Sequence, residues 1–248
     1  MQTWPSSGDA AASDGTRLAL ADRSGAIFLY LLKTGVLEQT LRVPSSHAAV
    51  DRMAWVGGTL YSASSASGEL RRWTLPAGTS KALISKANWM SGNQNFAPVR
   101  GQVVVSRRDS LEGVSLPEGQ RLWKITAPNP FFLMVSAGGT RLAYKGLGGG
   151  WTLLELPGGK VLPPLEGLAA LGRDREPNFG TFSPDGERLA MGVDKQVWLW
   201  DTRNGRLLAR SSDLASEPGV LAFSPDGHRL AVGVGTPTEG AITELSVP

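Results

Sequence analysis

The chain has 248 residues, 41% of them hydrophobic, with 31 glycines, 16 prolines, no cysteine and a formal net charge of +3. This is enough apolar material for a core, and it excludes a disordered chain, a disulfide framework, a thiolate metal site and a cysteine nucleophile. A charge so small and scattered excludes the basic footprint of a nucleic-acid binder. No run approaches the ~18 apolar residues of a membrane span, and residues 1–8 lack the basic start and apolar stretch of a signal peptide. A cytoplasmic protein that touches neither nucleic acid nor membrane is expected.

Along the chain one phrase recurs, made of a glycine turn, an apolar strand, a second strand and another turn. Its markers are Gly15, Gly58, Gly101, Gly139, Gly186 and Gly227, spaced by 43, 43, 38, 47 and 41 residues. A period in this range signals a repeat architecture. The first repeat turns at Ser13-Asp14-Gly15 and predicts strands over 17–21 and 26–32, a turn at Lys33-Thr34-Gly35 and a strand over 36–41. The second predicts strands over 59–63, 69–75 and 80–84, the last two joined by Pro76-Ala77-Gly78. The third has 102–106, 111–116 and 120–125 around Pro117-Glu118-Gly119, and the fourth 141–144, 151–156 and 160–165 around Pro157-Gly158-Gly159. The fifth reads most clearly: Ser183-Pro184-Asp185-Gly186, strands over 188–192 and 197–200, the turn Arg203-Asn204-Gly205 and a strand over 206–210. The sixth opens at Ser224-Pro225-Asp226-Gly227 and predicts strands over 229–233 and 241–247.

Alternation and β-branched residues make these segments strands. No stretch shows a capped helical period, so helix content is expected to be close to nil. In the second turns, proline presets φ near −65° and glycine or asparagine accepts the positive φ that closes a hairpin. With the strand ahead of each first turn, such as 180–183 or 220–224, every repeat has four strands joined by short hairpins, which is one propeller blade. The expected fold is therefore all-β: a single domain over 1–248, a β-propeller of six four-stranded antiparallel blades. The sixth repeat lacks its outer strand, and residues 1–4 are predicted to supply it by pairing with 241–247, closing the ring. The alternative is a seven-bladed ring or a piece of a longer chain, with an inner strand open to edge pairing.

The Phe-Ser-Pro-Asp-Gly turns at 182–186 and 223–227 and the Trp200-Asp201 dipeptide resemble WD-repeat (WD40-type) bacterial β-propellers over essentially the whole chain. His47, Ser62, Ser64 and Trp73 resemble part of that family's His-Ser-Trp-Asp hydrogen-bond set. The Asp is absent there, and repeats three, four and six lack the Trp-Asp ending, as in a degenerate member. Abundant Ala and Gly, with 18 Arg against 7 Lys, resemble proteins of high-GC bacterial genomes. The resemblance implies a face, formed by loops between strands two and three and between blades, where protein partners dock.

Catalytic sets are scarce. Ser46, His47 and Asp51 could be drawn as a triad, but they fit a strand-linking loop. His228 follows a turn where other repeats carry Thr or Glu, which predicts a solvent-facing side chain. There is no paired histidine and no calcium-loop spacing, so no metal and no cofactor are expected. Gly146-Leu147-Gly148-Gly149-Gly150-Trp151 mimics a phosphate-binding loop but bridges two strands without a following helix, as a hairpin does. The candidate partner-binding residues lie in the face loops: Arg23, Trp89, Arg107, Arg108, Arg173, Arg175 and Lys195, the linkers at Lys86-Ala87-Asn88-Trp89-Met90 and Arg173-Asp174-Arg175-Glu176 carrying types favoured at hot spots. The expected function is a non-catalytic protein-interaction scaffold, alone or as a subunit of a larger assembly. The alternatives are a six-bladed hydrolase or lactonase with a channel site, and a sensor or accessory domain of a larger bacterial protein.

Overall fold

The computed structural model describes residues 10–22, 24–44, 49–64, 66–87, 98–99, 101–146, 149–172, 175–177, 179–235 and 240–247. They form six antiparallel sheets. The first contains β1 (Ala10–Ser13), β2 (Arg17–Ala21), β3 (Ala26–Leu31) and β4 (Leu37–Arg42), and the second β5 (Arg52–Val56), β6 (Thr59–Ser64), β7 (Glu69–Thr74) and β8 (Thr79–Ile84). The third contains β9 (Pro98–Val99), β10 (Gln102–Ser106), β11 (Ser110–Ser115) and β12 (Arg121–Thr126). The fourth has β13 (Phe131–Val135), β14 (Arg141–Lys145), β15 (Trp151–Glu155) and β16 (Lys160–Val161). The fifth has β17 (Gly180–Phe182), β18 (Arg188–Val193), β19 (Gln196–Asp201) and β20 (Leu207–Arg210). The sixth has three strands among the described residues: β21 (Pro218–Phe223), β22 (Arg229–Gly235) and β23 (Gly240–Ser246). In every sheet the strands lie in chain order, as hairpins require. The one helical element among the described residues is a 3-10 turn, Leu168–Leu171.

Two kinds of turn generate this order. In the first kind, Ser183 N–H donates to the Arg188 carbonyl (3.0 Å) and Gly186 N–H to the Ser183 carbonyl (2.8 Å). The Ser183 hydroxyl accepts Arg188 N–H (2.9 Å) and Asp185 accepts Glu187 N–H (2.9 Å). Ser224, Asp226 and Gly227 repeat the pattern with Arg229 and His228. In the second kind, the glycine N–H reaches back four residues: Gly35 to Leu31 (2.7 Å), Gly78 to Thr74 (3.0 Å), Gly119 to Ser115 (3.0 Å), Gly159 to Glu155 (2.9 Å) and Gly205 to Asp201 (2.9 Å). Three of these turns begin with cis peptides, Leu75-Pro76, Leu116-Pro117 and Leu156-Pro157. Gly205 has φ +73, and a Cβ there would lie 2.1 Å from the Pro164 carbonyl oxygen. Only glycine satisfies both the turn and that close approach.

Strand 160–165 is shorter than expected: β16 ends at Val161. Leu162 N–H still donates to the Leu153 carbonyl (2.9 Å), but Pro163 and Pro164 have no N–H with which to extend the ladder.

The chain divides into two compact units, the first residues 1–92, 96–107 and 112–122, the second 93–95, 108–111 and 123–248. In the first, sheets one and two bury Ile27, Leu29, Leu60 and Trp73 against each other, and sheets two and three bury Tyr61, Leu70, Val103 and Val105. In the second, sheets four and five bury Trp151, Leu153, Leu189, Met191 and Trp200, and sheets five and six bury Val197, Leu199, Leu230 and Val232. Within each unit the cores lie between sheets, so neighbouring sheets stabilise one another, at about 1.5–3 kcal/mol per buried large aliphatic or aromatic side chain. Residues 1–4, expected to pair with 241–247, lie outside the described residues.

Candidate partner-binding face

The loops singled out in the sequence are set by the hairpins between second and third strands. In the second unit, β18 ends at Val193 and β19 begins at Gln196, leaving Asp194 and Lys195 exposed at the hairpin tip. Asp194 takes φ +50, a left-handed conformation that aspartate tolerates. The Lys195 carbonyl accepts Leu214 N–H at 2.7 Å, which fixes the tip against the following linker. Arg175 donates from both Nε and Nη2 to Asp194 Oδ2. That contact holds the Asp194 carboxyl below the ordinary carboxylate range and raises Arg175.

Beside this pair lies a shallow depression of about 210 Å³. Its lining includes Phe179, Gly192 and Pro218, with Arg175, Asp194 and Glu217 supplying charge. Phe179 lies across Gly192, where a Cβ would come within 2.6 Å of the ring. The result is a mainly polar depression, with the partly buried Phe179 ring at its floor and both signs of charge in its walls.

Under the same loops sits a buried ion pair. Lys145 Nζ is 3.1 Å from Glu176 Oε2, with the two side chains only 10% and 9% exposed. The other carboxylate oxygen, Oε1, accepts Gly150 N–H at 2.8 Å, and Trp151 Nε1 donates to the Pro177 carbonyl at 2.9 Å. The glycine loop that mimics a phosphate site is indeed a hairpin loop, between β14 and β15, and the chain's own Glu176 occupies its N–H. Removing one partner of such a pair leaves the other charge buried, at a cost of about 3–5 kcal/mol. The pair thus anchors the linker that carries Arg175.

Of the seven residues expected to bind partners, Arg175 in the second unit pairs with Asp194, the chain neighbour of Lys195, and both Arg175 and Lys195 are exposed. Arg108, also in this unit, is exposed, and its carbonyl accepts Asn129 N–H at 2.6 Å. In the first unit Arg107 is engaged at home: Nε reaches Glu112 at 2.9 Å and Nη1 donates to the Ser85 and Lys86 carbonyls, each at 3.1 Å. Arg23, Trp89 and Arg173 lie outside the described residues, as do Ser46 and His47 of the drawn triad. His228 is exposed, as expected.

Sequence reading missed Lys145, Phe179 and Glu217. A lysine closing the apolar strand Arg141–Lys145 just before a glycine loop was an available signal. Its partner, 31 positions later, has no local signature. Among the described residues, no group of three or more His, Cys, Asp or Glu side chains could hold a metal ion, and no helix is long and apolar enough to cross a membrane.

No family model and no curated protein matches the chain. Solved structures do. The β-propeller domain of Cps50 (Swd1) from Myceliophteria thermophila is 15% identical, with a TM-score of 0.65 over 96% of this chain and 83% of that one. The computationally designed Ika8 protein is 17% identical, with a TM-score of 0.64 over 96% of this chain and 70% of its own. The dihydro-heme d1 dehydrogenase NirN, solved in complex with DHE, is 16% identical, with a TM-score of 0.72 over 95% of this chain and 54% of its own, so this chain spans about half of it. At such identities the likeness speaks for the fold alone, and the fold is a β-propeller.

Proposed function

We propose that the protein is a non-catalytic protein-interaction scaffold of the WD-repeat kind, working in the bacterial cytoplasm. Its six sheets are six four-stranded blades, and the N-terminal residues complete the sixth and close the ring. The observation that carries this reading is the loop cluster of the second unit. A buried clamp, Lys145 to Glu176 to Gly150, holds the linker beside Arg175, and Arg175 pairs with Asp194 on the hairpin that carries Lys195, next to Phe179. A surface fixed before binding loses little conformational freedom when a partner arrives. A hydrolase or lactonase site in the channel would need carboxylates or histidines from several inner strands. Ala12, Met134, Val135, Ala222 and Phe223 on β1, β13 and β21 offer none.

The test is affinity capture with the whole chain as bait, beside an Arg175→Glu, Lys195→Glu double variant. A specific partner held by the wild type and lost by the variant is expected. Equal retention by both would remove this face, and a wild type that captures nothing while a small molecule copurifies would favour the enzyme or sensor reading.

A further inference from the structure

Two linkers of the second unit carry the same dipeptide at the same place in the repeat. Glu176-Pro177 stands ten residues before Gly186, and Glu217-Pro218 stands ten before Gly227. Both prolines are buried. The position six residues after the turn glycine corresponds in the same way, Lys145 after Gly139 and Gly192 after Gly186. The strand registers agree, since Leu142 pairs with Val135 as Leu189 pairs with Phe182. Between the fourth sheet and the linker into the fifth, Lys145 Nζ sits 3.1 Å from Glu176 Oε2. Between the fifth sheet and the linker into the sixth the carboxylate recurs as Glu217, but glycine, Gly192, stands where the lysine would be.

The depression of about 210 Å³ lies at this second junction, with Phe179, Gly192, Glu217 and Pro218 in its lining and Lys195 outside it. It is smaller than the ~300 Å³ at which small-molecule pockets begin, so it suits one side chain of a larger partner. Its charges leave a remainder. Arg175 compensates Asp194 and Lys145 compensates Glu176, while the ion pairs of the second unit among the described residues leave Glu217 without a cation. Glu217 is accordingly exposed, whereas the Glu176 side chain is buried with its lysine. Phe179, half-buried beside Gly192, offers apolar surface to an alkyl stem.

We propose, resting on the scaffold reading, that this depression takes a lysine side chain of the partner protein, its ammonium on the Glu217 carboxylate as Lys145 lies on Glu176, and its stem along Phe179. The preceding junction of the same chain is the template: a compact ammonium on a flexible stem already fills the equivalent place there. A partner lysine restores in trans the ion pair that Gly192 removes in cis. An acidic side chain would meet Glu217 as a like charge.

An NMR chemical-shift titration of the full chain with N-acetyl-lysine methylamide tests this, beside N-acetyl-norleucine methylamide, which keeps the alkyl stem and lacks the ammonium. The lysine probe is expected to bind about three- to tenfold more tightly, between the worth of an exposed ion pair and that of a hydrogen bond to a charged group. Glu217→Gln abolishes the difference and Glu217→Asp keeps part of it, each variant melting like the wild type. Equal binding of the two probes, no shift with either, or a preference that survives Glu217→Gln would each overturn the proposal. A captured partner whose affinity is unchanged by Glu217→Gln would overturn the lysine seat and leave the scaffold reading. An empty capture beside a Glu217-dependent preference for the lysine probe would overturn the scaffold reading and leave the seat.

Discussion

Asp185 shows how one residue type is used throughout the chain. Burial pushes its carboxyl up, but the Ser183 hydroxyl, the Glu187 N–H and the Arg188 charge outweigh that and leave it below the ordinary range. Asp14 and Asp22 are lowered against the same opposition, chiefly by backbone N–H groups and nearby hydroxyls, and Asp226 is lowered first by the Ser224 hydroxyl. A carboxyl whose pKa falls on folding adds stability that is fully present above the unfolded value of about 3.9 and is lost as pH falls through the folded one. The urea midpoint of the wild type should therefore exceed that of Asp185→Ala by a constant margin from pH 7 to about 4.5, and the margin should shrink toward pH 2. An equal margin at pH 2 and pH 7 would mean that the ionised carboxylate is not the stabilising species. Asp185 and Asp226 were legible because Ser-x-Asp-Gly writes its own turn within five residues, and Asp14 because Ser-Asp-Gly does the same in shorter form. The bond from Trp73 Nε1 to Ser62 Oγ, 2.9 Å and buried, was legible only through family likeness, since the two residues meet across a hairpin.

At the scale of elements, the position four residues before the end of each third strand is a sensitive marker of sheet stacking. It is occupied by Ile27 (0% exposed), Leu70 (0%), Leu111 (0%), Trp151 (6%) and Val197 (4%), but in the sixth sheet by Ile242, which is 82% exposed. Pattern alone predicts all six buried, because the same β-branched or apolar type stands at each; what differs is the packing beyond the strand, which the local sequence does not encode. Ile27→Ala should cost about 2–5 kcal/mol by chemical denaturation, whereas Ile242→Ala should change stability by less than about 0.5 kcal/mol. A cost at Ile242 matching that at Ile27 would mean that the outer face of the sixth sheet is covered in solution. Strand 160–165 illustrates the opposite limit: its apolar run was readable, but Pro163 and Pro164 decide where the ladder stops.

For the whole molecule, period and turn chemistry made the six antiparallel sheets readable in advance, since each repeat states its own hairpins. The site was readable only by loop position: Arg175 and Lys195 were picked out because they lie in face loops, while Lys145 and Glu176, which anchor the Arg175 linker, pair over 31 positions of chain. Ring closure belongs to this scale too. The fifth sheet's outer strand pairs Leu199 with Ala209 and Trp198 with Arg210, and β23 has no such partner among the described residues. An open strand edge that carries a single charge, Glu244, invites pairing with another chain. If residues 1–4 occupy that edge, they remove the hazard and couple the two ends of the polypeptide, so that neither terminal blade can fray without breaking the ladder. Deleting residues 1–5 should then lower the melting temperature by several degrees, the worth of about 1–2 kcal/mol in a domain of this size, and should make the protein self-associate as concentration rises. Light scattering and a thermal melt on the same samples read both effects, and an unchanged melt with a monomeric mass would show that the edge is protected by something other than the N-terminus.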